Sequence, residues 1–155
     1  MRIDPRLLYF GGSSSNAGVG FFPEVDLYND STGAELVVVL ALSLLSAQST
    51  TLIATTRQGN VNNPIGGEGP VYTGQALRSG RIHANQVAAA PSGTMPAVAN
   101  VITQLGEPPK LPLAILQPGW SFTITNIQAN SGVNAGFWWA SVPLEDIYRI
   151  FDYAG

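Results

Sequence analysis

The sequence predicts an all-β protein: an antiparallel β-sandwich, jelly-roll-like, with a flexible N-terminal arm. Three observations predict it. Short runs alternate apolar and polar residues, as strands with one buried face do. Clusters of Gly, Pro, Asn and Ser separate about eight such runs at a spacing of roughly 8–12 residues. Residues 111–142, LPLAILQPGWSFTITNIQANSGVNAGFWWASV, then read as three strands joined by two turns.

The organisation is an arm and linker over residues 1–20 and a single sandwich domain over 21–155. Leu7, Leu8, Tyr9 and Phe10 form an apolar arm, and Gly11 to Gly20 has the composition of a flexible linker. Such an arm packs on a neighbouring subunit or back on its own domain. Residues 24–29 alternate, with Val25 and Leu27 on one side and Asp26 and Tyr28 on the other. Asp30-Ser31-Thr32-Gly33 is a turn. Residues 34–47 read as a long strand: Val37, Val38 and Val39 are β-branched and turn signals flank the run, although its Leu-rich halves leave a helix open. Apolar residues occupy both faces from Leu36 to Leu42. One face is expected to meet the core and the other a second layer or a subunit.

Residues 50–56 form the next strand. Residues 58–70, with four glycines, three asparagines and two prolines, are a loop. Residues 71–75 and 80–87 read as short strands. Pro91, Pro96, Pro108 and Pro109 interrupt 88–109, leaving one short element around 98–105. In 111–142, Leu111, Leu113 and Ile115 bury one face. Gln117-Pro118-Gly119-Trp120 is a type II turn, with Pro118 presetting φ and Gly119 supplying the positive φ. Trp120, Phe122 and Ile124 then face inward, opposite Ser121, Thr123 and Thr125. Asn130-Ser131-Gly132 reverses the chain again, so the stretch reads as an antiparallel meander. Residues 144–151 are one turn of helix or a final strand. Val37, Val39, Leu42, Phe122 and Phe137 are the core candidates.

Composition narrows the function. Only 11% of the 155 residues are charged, against about a quarter in ordinary soluble domains. Uncovered low-charge surface associates, so the chain is expected to work inside an assembly. The net charge is −3 and the seven basic residues are scattered, which argues against a nucleic-acid surface. There is no cysteine, hence neither disulfides nor thiolate metal sites. The longest apolar run falls well short of the roughly 20 residues a membrane helix needs. Asp4 and Pro5 interrupt any signal-peptide core. The expectation is a soluble, unexported chain.

Candidates for chemistry are few. His83 is the only histidine and has no acidic neighbour in sequence; it reads as a partly exposed strand or loop residue rather than part of a triad or a metal site. Asp26, Asn29, Asp30, Ser31 and Glu35 crowd one junction with oxygen ligands of the kind calcium takes. Turn capping by Asn29, Asp30 and Ser31 accounts for them without a metal. The glycine clusters at 11–12 and 66–69 lack the following Lys-Ser/Thr and helix of a phosphate cradle. Glu24, Glu68, Glu107 and Asp146 carry carboxylates that a glycosidase would need in facing pairs. Trp138 and Trp139 point to opposite faces of a strand. One enters the core, and the other meets a subunit or a sugar ring. No catalytic residue, cofactor or metal site is assigned. The interface candidates are Leu7, Leu8, Tyr9, Phe10, Trp138 and Trp139.

Two stretches resemble jelly-roll structural proteins of tailed-bacteriophage particles. Val25-Asp26-Leu27-Tyr28-Asn29-Asp30-Ser31-Thr32-Gly33 with the following Glu35 to Val39 looks like their opening strand, turn and valine-rich strand. Leu116-Gln117-Pro118-Gly119, Phe137-Trp138-Trp139 and Pro143-Leu144 resemble their closing pattern. Together they cover about a third of the chain, and Asp30 stands where that pattern has Pro. The resemblance implies a non-enzymatic virion component made in the host cytoplasm: a capsid decoration or cement protein, or a tail-associated one. Such proteins commonly form homotrimers and grip the major capsid protein through arms and loops, without nucleic acid or membrane. The rivals are a carbohydrate- or receptor-binding module of a tail fibre, with Trp138 exposed, and an enzyme of glycan metabolism.

Overall fold

The computed structural model describes residues 3–46, 51–89, 95–98 and 112–151. Its strands are β1 (Leu8–Asn16), β2 (Phe22–Tyr28), β3 (Glu35–Leu45), β4 (Thr51–Gln58), the two-residue β5 (Gly69–Pro70), β6 (Arg81–Val87), β7 (Met95–Val98), β8 (Ala114–Leu116), β9 (Trp120–Asn126) and β10 (Gly132–Pro143). A 3-10 turn, Leu144–Asp146, leads into the short helix α1 (Ile147–Phe151). The first sheet has the order β5-β1-β10-β3-β8 and the second β6-β2-β9-β4-β7, with every pair antiparallel.

The pairing is nested. β1 pairs with β10, β2 with β9, β3 with β8 and β4 with β7, as if one long hairpin had been rolled up. Two further pairings, β10 with β3 and β9 with β4, close each roll. This is the jelly-roll order; β5 and β6 are added at its edges. The stretch 111–142 is therefore not a meander. β8 and β10 lie in the first sheet and β9 in the second, because each turn carries the chain across the sandwich rather than along a sheet.

The inner faces meet in one core. Val25, Leu27, Val37, Val39, Leu42, Leu52, Ile82, Phe122, Ile124, Phe137 and Trp139 are among its buried members, and all five core candidates belong to it. Strict alternation would send Val37 and Leu42 to opposite faces. A β-bulge resolves this: Trp138 pairs with Ala41 and Trp139 with Val39, so Leu40 is the extra residue. Phe122 and Phe137 meet edge-to-face with centroids 6.4 Å apart, an orientation that suits the ring quadrupoles.

The N-terminal reading needs correction. Residues 8–16 are no flexible arm or linker but β1, paired along its whole length with β10. Its small residues suit close approach: a Cβ on Gly12 would stand 2.4 Å from the Ala135 carbonyl oxygen. The type II turn forms as expected, with Trp120 N–H donating to Gln117 O at 3.0 Å and Gly119 at φ +84°. Leu113 and Ile115 are exposed rather than inward, since Ala114 and Leu116 face the core, and Trp120 is exposed at the start of β9. Residues 71–75 are turn and loop instead of strand, and 144–151 take the helical alternative. Most of the expected element at 98–105 and Leu111 lie outside the described residues.

Candidate functional site

The second face of the first sheet divides into two halves. In one, Leu8, Val38, Leu40, Ala140 and Val142 pack with Ile3, Ile147 and Ile150. The apolar second face of β3 thus meets a layer from its own chain: α1 and the residues before β1. In the other half, cross-strand register sets three rows side by side. They are Phe10–Trp138–Ala41, Gly12–Gly136–Ser43 and Ser14–Asn134–Leu45. Phe10 and Leu45 are 44% and 46% exposed, and Trp138 is half-buried. The six-membered ring of Trp138 leans over Gly136, its Cζ3 3.8 Å from where a Cβ would stand. Phe10 lies beside Gly69 in the same way.

The six interface candidates therefore separate. Phe10 and Trp138 share the open half-face. Leu7 and Leu8 are half-buried, Leu8 against the α1 layer. Tyr9 and Trp139 are wholly buried in the chain's own core and are withdrawn as contact residues. Their rings stack at 6.2 Å, Tyr9 Oη donates to Ala76 O at 2.9 Å, and Trp139 Nε1 donates to Ser79 O at 2.9 Å. Gly80 makes room for the indole: at φ +106°, a Cβ there would lie 2.4 Å from Trp139 Nε1.

A second feature lies on the outer face of the second sheet, where the sequence named Glu24, Asp26 and His83 only in separate contexts. Glu24 and Asp26 stand two apart on β2, so both carboxylates face outward, away from Val25 and Leu27. Both are buried. Arg57 Nη2 contacts Glu24 Oε2 and lies 3.5 Å from Asp26 Oδ2. Thr125 Oγ1 donates to Glu24 Oε1 at 3.1 Å. Val61 N–H donates to Asp26 Oδ2 at 2.6 Å, and His83 Nδ1 lies 3.0 Å from Val61 O. Burial, and then the negative charge and hydrogen bonding of Glu24, push the Asp26 carboxyl up to about 8. Asp26 Oδ1 has no hydrogen-bond partner among the described residues.

His83 is thus buried, not partly exposed, and faces Asp26 across the β2–β6 pair. The alternation of 24–29 held this juxtaposition of carboxylates; the approach of Arg57 and His83 needed the sheet order. A glycosidase would present its carboxylates in a cleft, whereas these two are engaged beneath the chain.

The oxygen-rich junction disperses. Asn29 Oδ1 accepts from Ser31 N at 3.0 Å, closing an Asx turn, while its Nδ2 donates to Glu35 O and Leu116 O. Asp30 meets Gly80 N and Arg81, and Glu35 meets Arg78 and Ser79. No group of three or more His, Cys, Asp or Glu residues converges among the described residues. A groove of about 420 Å³ opens between β8 and β4, lined by Thr56, residues 113–117 and Trp120. No described helix is long and apolar enough to cross a membrane. No protein-family model, curated protein or solved structure matches the chain.

Proposed function

We propose that the chain is a non-enzymatic structural protein of a tailed-bacteriophage particle, a decoration or cement protein that stabilises the head by bridging coat subunits. The observation that carries the reading is the open half-face of the first sheet. It is aromatic at one end, carries an exposed Leu45 at the other and is small or polar between, on a chain with 11% charged residues. Depletion of charge with aromatic enrichment is the composition of an interface core. The jelly-roll order supports the reading without deciding it, because capsid and lectin domains share that fold. The partners are further copies in a homotrimer and the major capsid protein, and the location is the virion.

The test has two steps. Light scattering of the purified chain gives its mass, with a trimer expected. Co-sedimentation with heads lacking decoration then compares wild type with Phe10→Ser/Trp138→Ser, which is expected to lose about tenfold or more in affinity while staying folded. A monomer that ignores the heads, or a double variant that binds as wild type does, overturns the reading.

A second reading, a carbohydrate- or receptor-binding module of a tail fibre, is favoured by Trp138 itself. Its ring leans over Gly136 beside Ser43, a position from which indole stacks on a sugar. Glycan-array binding abolished by Trp138→Ala is the outcome that separates this reading from the first.

A further inference from the structure

Residues 59–65, GNVNNPI, form a strap that carries no charge and is tied to the second sheet at several points. Gly59 N–H donates to Gly119 O, Ile65 N–H to Ile82 O, and Asn63 O accepts from Ala84 N–H. Pro64 bridges His83, so the strap covers the outer edge of β6. At Val61 it folds inward, and both polar groups of that residue are taken by titratable side chains, the N–H by Asp26 and the carbonyl by His83.

Beneath Val61 the charges do not balance. Glu24 and Asp26 on β2 share the single guanidinium of Arg57 on β4. His83 lies on β6, its ring edge-on to Tyr28 at 5.5 Å. Arg81, also on β6, is committed to Asp30 at 3.3 Å. The facing positions of β9 are Ser121, Thr123 and Thr125, which bring hydroxyls but no charge. Two buried carboxylates beside one cation are accommodated most cheaply by one shared proton. The Val61 N–H and Arg57 favour ionised Asp26, but burial and the adjacent Glu24 outweigh them.

We propose that the Glu24–Asp26 pair, through its shared proton, latches the strap 59–65 onto the second sheet and loosens it as that proton is given up with rising pH. Loss of the proton leaves two buried negative charges against one positive. Lifting Val61 lets water reach Asp26 and relieves that imbalance. The latch loosens in one direction only, as pH rises. With its Nδ1 hydrogen given to Val61 O, His83 keeps that bond whether or not Nε2 gains a proton. Acid therefore does not free the strap through His83.

The experiment is amide hydrogen exchange on the full-length chain from about pH 4.5 to pH 9.5, with intrinsic exchange rates divided out to give protection factors. The Val61 amide is expected to lose protection by up to about tenfold per pH unit as pH rises towards 8, the limit for one proton, and to level off above pH 8. Amides of β3 in the first sheet, which exchange through global unfolding, are expected to stay better protected than Val61 at every pH. Asp26→Asn, which retains an acceptor for Val61 N–H, should make Val61 protection flat across the range. Glu24→Gln, which leaves Asp26 alone with Arg57 but still buried, should shrink the fall and serves if Asp26→Asn fails to fold. Flat protection in the wild type, Val61 protection as high as that of β3, or an undiminished fall in a folded variant would each overturn the latch.

Discussion

The two sheets bury their inner faces against each other in the same way and cover their outer faces by opposite means. On the first sheet, half of the outer face is aliphatic and is covered by a short helix that contributes Ile147 and Ile150. On the second, the outer face presents Glu24, Asp26, His83, Thr123 and Thr125, covered in part by a strap that contributes backbone N–H and C=O groups. The first cover rests on apolar area and is indifferent to pH. The second rests on hydrogen bonds and on a charge balance, so its strength depends on how many protons it holds. Covering a sheet twice can therefore make it either inert or responsive, according to which residues fill the outward positions.

This contrast can be broken most severely under the helix. Val142→Asp would place a charge without a partner between the first sheet and α1, and is expected to cost more than about 4 kcal/mol. Denaturant titration should find little folded protein, and a near-normal midpoint would show that α1 does not seal this layer. Arg57→Met removes the cation from the other cover. Because the Arg57 side chain is 40% exposed, solvent softens the loss to about 2–3 kcal/mol at pH 7. The deficit should shrink at pH 4, where carboxylates take up protons. An equal deficit at both pH values would contradict the ionic account. Ile150→Ala is expected to cost about 2 kcal/mol, with no change between pH 5 and pH 9 by thermal or chemical unfolding.

The pH profile of the wild type sharpens the contrast further. Asp26 holds its proton more tightly folded than unfolded, with its value raised from 3.8 to about 8. Between those limits the folded chain keeps a proton that the unfolded chain has released. Stability should thus be fullest below about pH 4 as far as this group is concerned, and fall as pH rises. The slope is at most about 1.4 kcal/mol per unit for one proton. Asp26→Asn should remove the slope, and unfolding midpoints across pH 4–9 measure it. The smallest effect belongs to the open half-face. Trp138→Ser should shift stability by less than about 1 kcal/mol, because its ring is half-buried and opposes small residues; a larger loss would mark Trp138 as part of the fold rather than of a contact.

Much of the inner face was legible in the sequence, because period-two alternation and turn chemistry are local. Val25 and Leu27, the valines of β3, Phe122 and Ile124, and the Gln117–Trp120 turn all lie where those rules put them. What was not legible depended on residues far apart in the chain. Gly11, Gly12 and the serines after them have a linker's composition, yet they form a strand because Ala135 and Gly136 approach them closely. His83 has no acidic neighbour in sequence but faces Asp26 across the sheet. The bulge at Leu40, which reconciles Val39 and Leu42 on one face, depends on the register with β10. Of the open half-face, Phe10 and Trp138 could be named beforehand. Their pairing in one row could not.

The nested pairing also governs when the fold can be completed during synthesis. Leu8 pairs with Ala140 and Asn16 with Gly132, so β1 leaves the ribosome and waits for a strand far downstream. β10 sits between β1 and β3 at the centre of the first sheet; without it, β1 has only the two-residue β5 beside it. Pairings of such separation are slow to close, since loop entropy must be overcome before any contact rewards it. Until the ribosome has delivered residues 132–143, the inner faces of β2, β3 and β4 have no complete partner sheet. A nascent chain of this topology spends most of its synthesis with apolar strands uncovered, and its yield in a cell should track chaperone supply more closely than its final stability.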